Sequence, residues 1–413
     1  MNQRPAPPRP LPLRPSDLRG LYRLGVDGSV GLTDLVEAMH HTIASRIGFD
    51  RASASGRSSG LTGMVYGAVR GGMRWSGHGV DAALRLAERA VRPQPGSSAE
   101  RDAFVAALNG LCGDHLERSG NPLAIRMALR HGGHALPLQR QALAQALPDA
   151  GPKLLVLVHG LCMGDRQWTR RGHDHGRALA HALGYTPLYL HYNSGRHVSQ
   201  NGREFAALLQ RLLSAWPQPL QQLVIVGHSM GGLVARSACQ QAEAQALGWL
   251  RGLRALVCLG TPHHGAPLER GGRRIDQLLG LSPYVAPFAR LGKVRSAGIT
   301  DLRYGNLQDA DWQGRDRHAQ RHDDRRPTPL PAGVASYLLA ATTADAPGPL
   351  HQALIGDGLV PLASALGEHT DPALALQVPA DHRHVVAGCS HLDLLCHADV
   401  QARLQHWLGG AAH

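Results

Sequence analysis

The chain has 413 residues, 43% hydrophobic and 18% charged, with a formal net charge of +12. That length and balance belong to a globular protein able to bury a core, which excludes wholesale disorder, and no run nears the roughly 18 apolar residues of a membrane-spanning helix. The positive charge is almost all arginine, with Lys153 and Lys293 the only lysines, and it forms no block interleaved with aromatic residues; no nucleic-acid partner is therefore expected, only peripheral attraction to anionic membrane surfaces.

Residues 1–18 are Pro- and Arg-rich and are expected to be a flexible tail. They lack the apolar core of a secretory signal, and the six cysteines show no CxxC pair, so buried thiols in a cytoplasmic setting are expected. From residue 19 to 123 the patterning is helical. Thr33 can cap a helix carrying Leu35, Met39, Ile43 and Ile47, and Ser97 with Glu100 forms a capping box ahead of Phe104, Leu108, Leu111 and Leu116.

From residue 124 to about 408 the texture changes to short apolar runs alternating with helical stretches. IRMALRHGGHALPL reads as two strands around a Gly-Gly turn. Further strands are expected at Lys153–Val158, Thr186–Tyr192, Leu223–Gly227, Ala255–Gly260, Ala335–Thr342 and His384–Gly388. Continuous apolar strands separated by helices imply an α/β fold, with a mostly parallel central sheet covered by helices on both faces. Residues 266–331 are too many for a simple connection and are expected to form a cap or lid insertion.

The pattern G-x-S-x-G occurs twice, around Ser58 in GRSSG and around Ser229 in GHSMG. Ser58 follows a polar stretch with no strand before it and reads as loop. Ser229 follows the apolar run LVIVG and precedes a helical stretch, the strand-turn-helix setting of a nucleophile elbow. There the Met230 N–H is a candidate oxyanion donor, and HGLC after the strand ending at Val158 offers a second donor in the Leu161 N–H.

A serine nucleophile needs a histidine base and a carboxylate to orient it. Asp357, between two glycines in IGDGLVP, follows one late strand, and His391 in CSHLDLL follows the next. Asp345 is the reserve acid. His382, His384 and His397 compete with His391 but fall before, at the start of, or well beyond that strand's end. Asp393 suits a helix start. The HDH of His173–His175 and the pair His263–His264 lack zinc-partner spacing and read as loop histidines, so no metal or other cofactor is expected.

Together HGLC, GHSMGG, LGTPHHG, GDGLVP and SHLDLL resemble the α/β-hydrolase superfamily, in particular bacterial lipase- and esterase-like members and relatives of the inositol-deacylase type. The resemblance spans about residues 124–408 and leaves out the N-terminal helical region. It implies a Ser229–Asp357–His391 triad, with Leu161 and Met230 as oxyanion donors, acting on small-molecule or lipid-like carboxylic esters. Some members bind calcium through a carboxylate two residues after the catalytic His, which Asp393 would match, but no upstream partner carboxylate is found. An acyltransferase with the same triad, or a scaffold on an idle hydrolase fold, are the alternatives. Within the insertion, Leu279 and Phe288 belong to an amphipathic stretch expected to line an acyl pocket, while the charged DWQGRDRHAQRHDDRRP is expected to be solvated or mobile.

Overall fold

A computed structural model of the protein describes residues 13–29, scattered positions between 64 and 86, and residues 98–266, 296–316, 323–344 and 356–410. Ser58, Leu279, Phe288, Asp345 and the helix expected after Thr33 lie outside them. The chain divides into two compact units, one of residues 1–101 with 116–124, the other of residues 102–115 with 125–413. In the first unit, helical residues are tied by arginine–carboxylate pairs. Arg19 Nε donates to Asp81 at 2.7 Å, and Arg101 donates to both oxygens of Asp17 at 2.5 and 2.6 Å.

Helix α1 (Ala99–Arg118) starts one residue after Ser98, whose Oγ accepts the Arg101 N–H at 3.1 Å. The cap is thus Ser98 rather than the expected Ser97, because only Ser98 directly precedes the first helical residue. The helix kinks at Cys112, where φ is −141°. Its apolar residues Phe104, Leu108, Leu111 and Leu116 are all buried, as their spacing requires.

Among the described residues, eight strands form one sheet: β1 (Ala128–His131), β2 (His134–Ala135), β3 (Lys153–Val158), β4 (Thr186–His191), β5 (Gln222–His228), β6 (Leu253–Leu259), β7 (Ala335–Ala341) and β8 (Arg383–Val386). Their spatial order is β2-β1-β4-β3-β5-β6-β7-β8. β1 runs antiparallel to β2 and β4, and every other pairing is parallel. The central strands read as unbroken apolar runs because both faces are covered; Leu154 to Val158 are fully buried. Alternate residues serve opposite faces. Leu155, Leu157, Val224, Val226, Val257 and Leu259 join a core with α3 (His175–Leu183) and α8 (Ala398–Gly409).

On the sheet's flanks, α2 (Arg140–Ala146) precedes β3, while α4 (Val198–Ala215) and α5 (Met230–Ala244) pack on one another. They approach closely at Gly202, where a Cβ would come within 2.6 Å of Ser237 Cβ. In the insertion, α6 (Ala297–Tyr304) is capped by Ser296. Of the charged segment after it, Asp316, Asp323, Asp324 and Arg326 are exposed, as expected of a solvated stretch, but its first residues are anchored. Asp311 is buried and accepts the Leu307, Gln308 and Arg326 N–H groups at 2.9, 2.9 and 3.1 Å, and the Trp312 indole stacks on His197 at 3.7 Å. A short helix, α7 (Leu362–Ala365), lies between β7 and β8. No helix among the described residues is long and apolar enough to cross a membrane.

All six cysteines are free thiols, and only Cys396 is partly exposed. Burial pushes Cys112, Cys162, Cys258 and Cys389 up to about 12, so little thiolate forms at neutral pH. Titration with a chromogenic disulfide reagent should find one readily reacting thiol in the native protein and six after unfolding. Fast reaction of several native thiols would contradict this packing.

Candidate active site

Ser229 sits between β5 and α5 with φ 55° and ψ −125°, in left-handed backbone space that a side chain rarely adopts. The turn is held from outside, since the Ser229 N–H donates to the Leu259 carbonyl of β6 at 2.8 Å. It also needs absent side chains. A Cβ on Gly227 would come within 2.5 Å of the Gly232 nitrogen, and one on Gly231 would overlap the Val158 carbonyl and lie 2.7 Å from that of His159. Gly231 thus makes room for the end of β3, while Gly227 makes room for the start of α5.

The His159–Gly160 loop abuts Ser229. A Cβ on Gly160 would lie 3.0 Å from Ser229 Cβ. The loop is braced: the Tyr192 hydroxyl donates to the His159 carbonyl at 2.8 Å, the His159 ring stacks on Tyr192 at 4.3 Å, and the Cys162 N–H, at φ 60°, donates to Ser194 Oγ at 3.1 Å. Between these fixed points the Leu161 N–H donates to nothing among the described residues. Met230, the first residue of α5, carries one of the N–H groups that a helix leaves unpaired.

Asp357 and His391 follow β7 and β8 and meet in the buried interior. The His391 Nδ1–H donates to Asp357 Oδ2 at 2.6 Å, and its backbone N–H donates to the Asp357 carbonyl at 3.0 Å. Asp357 Oδ1 accepts the Leu359 and Val360 N–H groups at 3.0 and 2.8 Å. His391 Nε2 is buried, with no hydrogen-bond partner among the described residues. Gly260, next to the carbonyl that holds Ser229, closes the arrangement: a Cβ there would lie 3.2 Å from both Asp357 Oδ2 and His391 Cε1.

One residue at this centre had no role from sequence. His228 Nε2–H donates to the His391 carbonyl at 3.0 Å, and the two rings lie 4.7 Å apart. It occupies an unspecified position of G-x-S-x-G, so only its contacts reveal it. A second His–Asp pair is also present, with His191 Nδ1 3.1 Å from Asp165 Oδ1, and Arg130 Nη1 donates to the same oxygen at 3.0 Å. Asp393 accepts the Ser390 hydroxyl and faces Arg170 and Arg171 at 3.5 and 3.2 Å. Asp174 caps α3, and His175 Nε2–H donates to the Leu394 carbonyl at 2.9 Å, so both belong to packing.

The sheet carries a strained serine turn after β5, a carboxylate after β7 and a histidine after β8, all at the carboxyl ends of parallel strands. Residues 153–317 match the family described as "PGAP1-like alpha/beta domain". The chain has the α/β-hydrolase fold. Its relatives are esterase- and lipase-like. Esterase PIR7B of Oryza sativa subsp. japonica is 31% identical over 134 residues, 31% of this chain and 48% of the relative, so the chain spans about half the length of that curated relative. Among solved structures, Bacillus licheniformis lipase BlEst2 in its mature form matches 68% of this chain and 97% of its own at 18% identity and a TM-score of 0.39. Staphylococcus hyicus lipase matches 63% and 95% at 14% identity and a TM-score of 0.35. None of these likenesses assigns a substrate.

This α/β-hydrolase fold buries neutral imidazoles around its centre. Burial lowers His159 to about 3 and drives His175, His228 and His263 below the usual 6.5. Below 6.5 the unfolded chain binds protons at these residues that the folded chain does not, so stability is lost as pH falls. Each such group contributes up to about 1.4 kcal/mol per pH unit between 6.5 and its folded value. Urea midpoints should fall steeply from pH 7 to pH 5, and His159→Gln should shallow the slope by about one proton. An unchanged slope would mean that His159 titrates normally.

Proposed function

We propose that this chain is a serine hydrolase that cleaves carboxylic esters through an acyl-enzyme on Ser229. The observation that carries this reading is the buried His391–Asp357 hydrogen bond of 2.6 Å beside an elbow serine at φ 55°. Ser229 Oγ attacks the acyl carbonyl while His391 Nε2 takes its proton and then returns it to the leaving alcohol. Asp357 fixes the Nδ1–H tautomer and stabilises the imidazolium. The Leu161 and Met230 N–H groups receive the oxyanion. Water, activated by the same histidine, releases the acid. The rice relative, named an esterase, points the same way.

A fluorophosphonate probe with mass mapping of the labelled serine tests the nucleophile. Ser229→Ala should abolish labelling and ester hydrolysis, and Ser58→Ala should leave both near wild type; label on Ser58 would sink the assignment. The base and acid are tested beside the second pair. His391→Gln and Asp357→Asn should each cut kcat by about 10³–10⁴-fold, whereas His191→Gln should keep most of it. The reverse pattern would move the base to His191.

Acyl esters with apolar chains are the proposed substrates, on the strength of the apolar residues around Leu279 and Phe288. In a p-nitrophenyl ester series, kcat/KM should climb with chain length, by roughly 0.8 kcal/mol per buried methylene at most. Leu279→Asp with Phe288→Asp should flatten the climb. Equal profiles in a folded double variant would remove these residues from substrate selection.

A further inference from the structure

Tyr192, Asn193 and Ser194 directly follow β4, and all three are buried. The first and third turn to the loop after β3: the Tyr192 hydroxyl donates to the His159 carbonyl at 2.8 Å, and Ser194 Oγ accepts the Cys162 N–H at 3.1 Å. Asn193 turns to α1 instead, its Nδ2 donating to the Gly113 carbonyl at 2.9 Å. Burial pushes the Tyr192 phenol above the usual 10, so the hydroxyl keeps its proton and stays a donor. The two contacts fall on separate peptide planes. The His159 carbonyl belongs to the unit His159–Gly160, and the Cys162 N–H to the unit Leu161–Cys162. Between them lies Gly160–Leu161, whose carbonyl accepts the His159 Nδ1–H at 2.9 Å and the Met163 N–H at 3.4 Å, and whose N–H is that of Leu161. Because a peptide unit is planar, fixing its carbonyl and both neighbouring units fixes the direction of that N–H.

The segment that holds the loop is itself held. Asn201 Nδ2 of α4 donates to the Asn193 carbonyl at 2.9 Å, the Gly195 N–H donates to Asn193 Oδ1 at 3.1 Å, and the Gly298 N–H of α6 donates to the Gly195 carbonyl at 3.0 Å. A Cβ on Gly195 would overlap the Asn109 carbonyl, so the segment lies against α1. Cys162 has backbone at φ 60°, which persists only where its surroundings enforce it. Ser194 Oγ is the acceptor its N–H has among the described residues, and Gly110 leaves it room, since a Cβ there would lie 2.8 Å from Cys162 Cα. We propose that Tyr192 and Ser194 are positioning residues for the oxyanion loop: their hydroxyls hold the peptide units on either side of Gly160–Leu161, so that the Leu161 N–H is aimed before a substrate arrives. This rests on the serine-hydrolase reading of Ser229. A donor already oriented needs no reorganisation when the charge develops, which is the source of its effect.

The test uses the full chain with p-nitrophenyl butyrate and an alkyl trifluoromethyl ketone, and counts competent sites by fluorophosphonate labelling of Ser229 to completion. On the ketone, Ser229 Oγ bonds to the carbonyl carbon, its proton passes to His391, and the former carbonyl oxygen becomes the oxyanion. Tyr192→Phe and Ser194→Ala each delete one oxygen and keep the packing around it, and either variant decides the outcome without the other. Each should lower kcat per labelled site by about 5–50-fold, less than the about 10²–10³-fold cost of losing an oxyanion donor outright. KM should stay within about twofold, and the ketone Ki should rise by the factor by which kcat/KM falls. A merely structural role would leave fewer labelled sites, each with wild-type kcat and Ki. That result would overturn the proposal, as would a fall in kcat with the ketone Ki unchanged. A wild type that neither cleaves the ester nor takes the label at Ser229 would instead overturn the hydrolase reading, and the proposal with it.

Discussion

The candidate site depends on one hydrogen bond, from the Ser229 N–H to the Leu259 carbonyl at 2.8 Å. Backbone at φ 55° costs a serine about 1–3 kcal/mol and persists only where its surroundings leave no alternative. Here the parallel register of β5 and β6, with Gly227 opposite Cys258 and His228 opposite Leu259, delivers that carbonyl to the turn. The end of β3 leaves no room for a wider turn, because Gly231 already lies against the Val158 and His159 carbonyls. Strain at Ser229 is therefore carried by three neighbouring strands, the most deeply buried part of the sheet.

The same strands position His391. His228, the last residue of β5, donates to the His391 carbonyl, so the loop after β8 is tied across two intervening strands to the residue preceding Ser229. Cys389 and Gly388 return backbone bonds to Thr342 and Ala344, and the His391 N–H bonds to Asp357, which locks the loops after β7 and β8 into one body. A parallel sheet places all these loops at one end. Side-chain geometry near 2.6 Å then follows from backbone contacts rather than from a long adjustable side chain.

Much of this was legible in the sequence for a simple physical reason. A strand buried on both faces must be apolar throughout, so β3 coincides with Lys153–Val158, and β4, β5, β6 and β7 differ from expectation by one or two residues at an end. β8 is less buried, and its bounds moved by one and two residues, to Arg383–Val386. Adjacent serines hid the helix cap, since Ser97 and Ser98 offer the same hydroxyl and only the helix start distinguishes them. Asp311 and Trp312 looked solvated because their partners, a turn of backbone and His197, are not readable from composition. His228 was hidden for the same reason. Whether a polar side chain is buried is decided by residues far along the chain.

The two buried His–Asp pairs differ in how the charge of the carboxylate is answered. Asp165 stands between His191 and Arg130; burial pushes its carboxyl up, but the His191 hydrogen bond and the Arg130 charge outweigh that and hold it down at about 2. Much of its charge is already answered by a permanent guanidinium, so it has little left to give an imidazolium that forms only in a transition state. Asp357 has no such partner among the described residues. One oxygen is occupied by two neutral backbone N–H groups and the other by His391 alone. Its attraction for His391 would therefore grow if that ring gained a proton, as the proposed mechanism requires. His391 Nε2, buried and without a partner among the described residues, is the ring atom left open to such a proton.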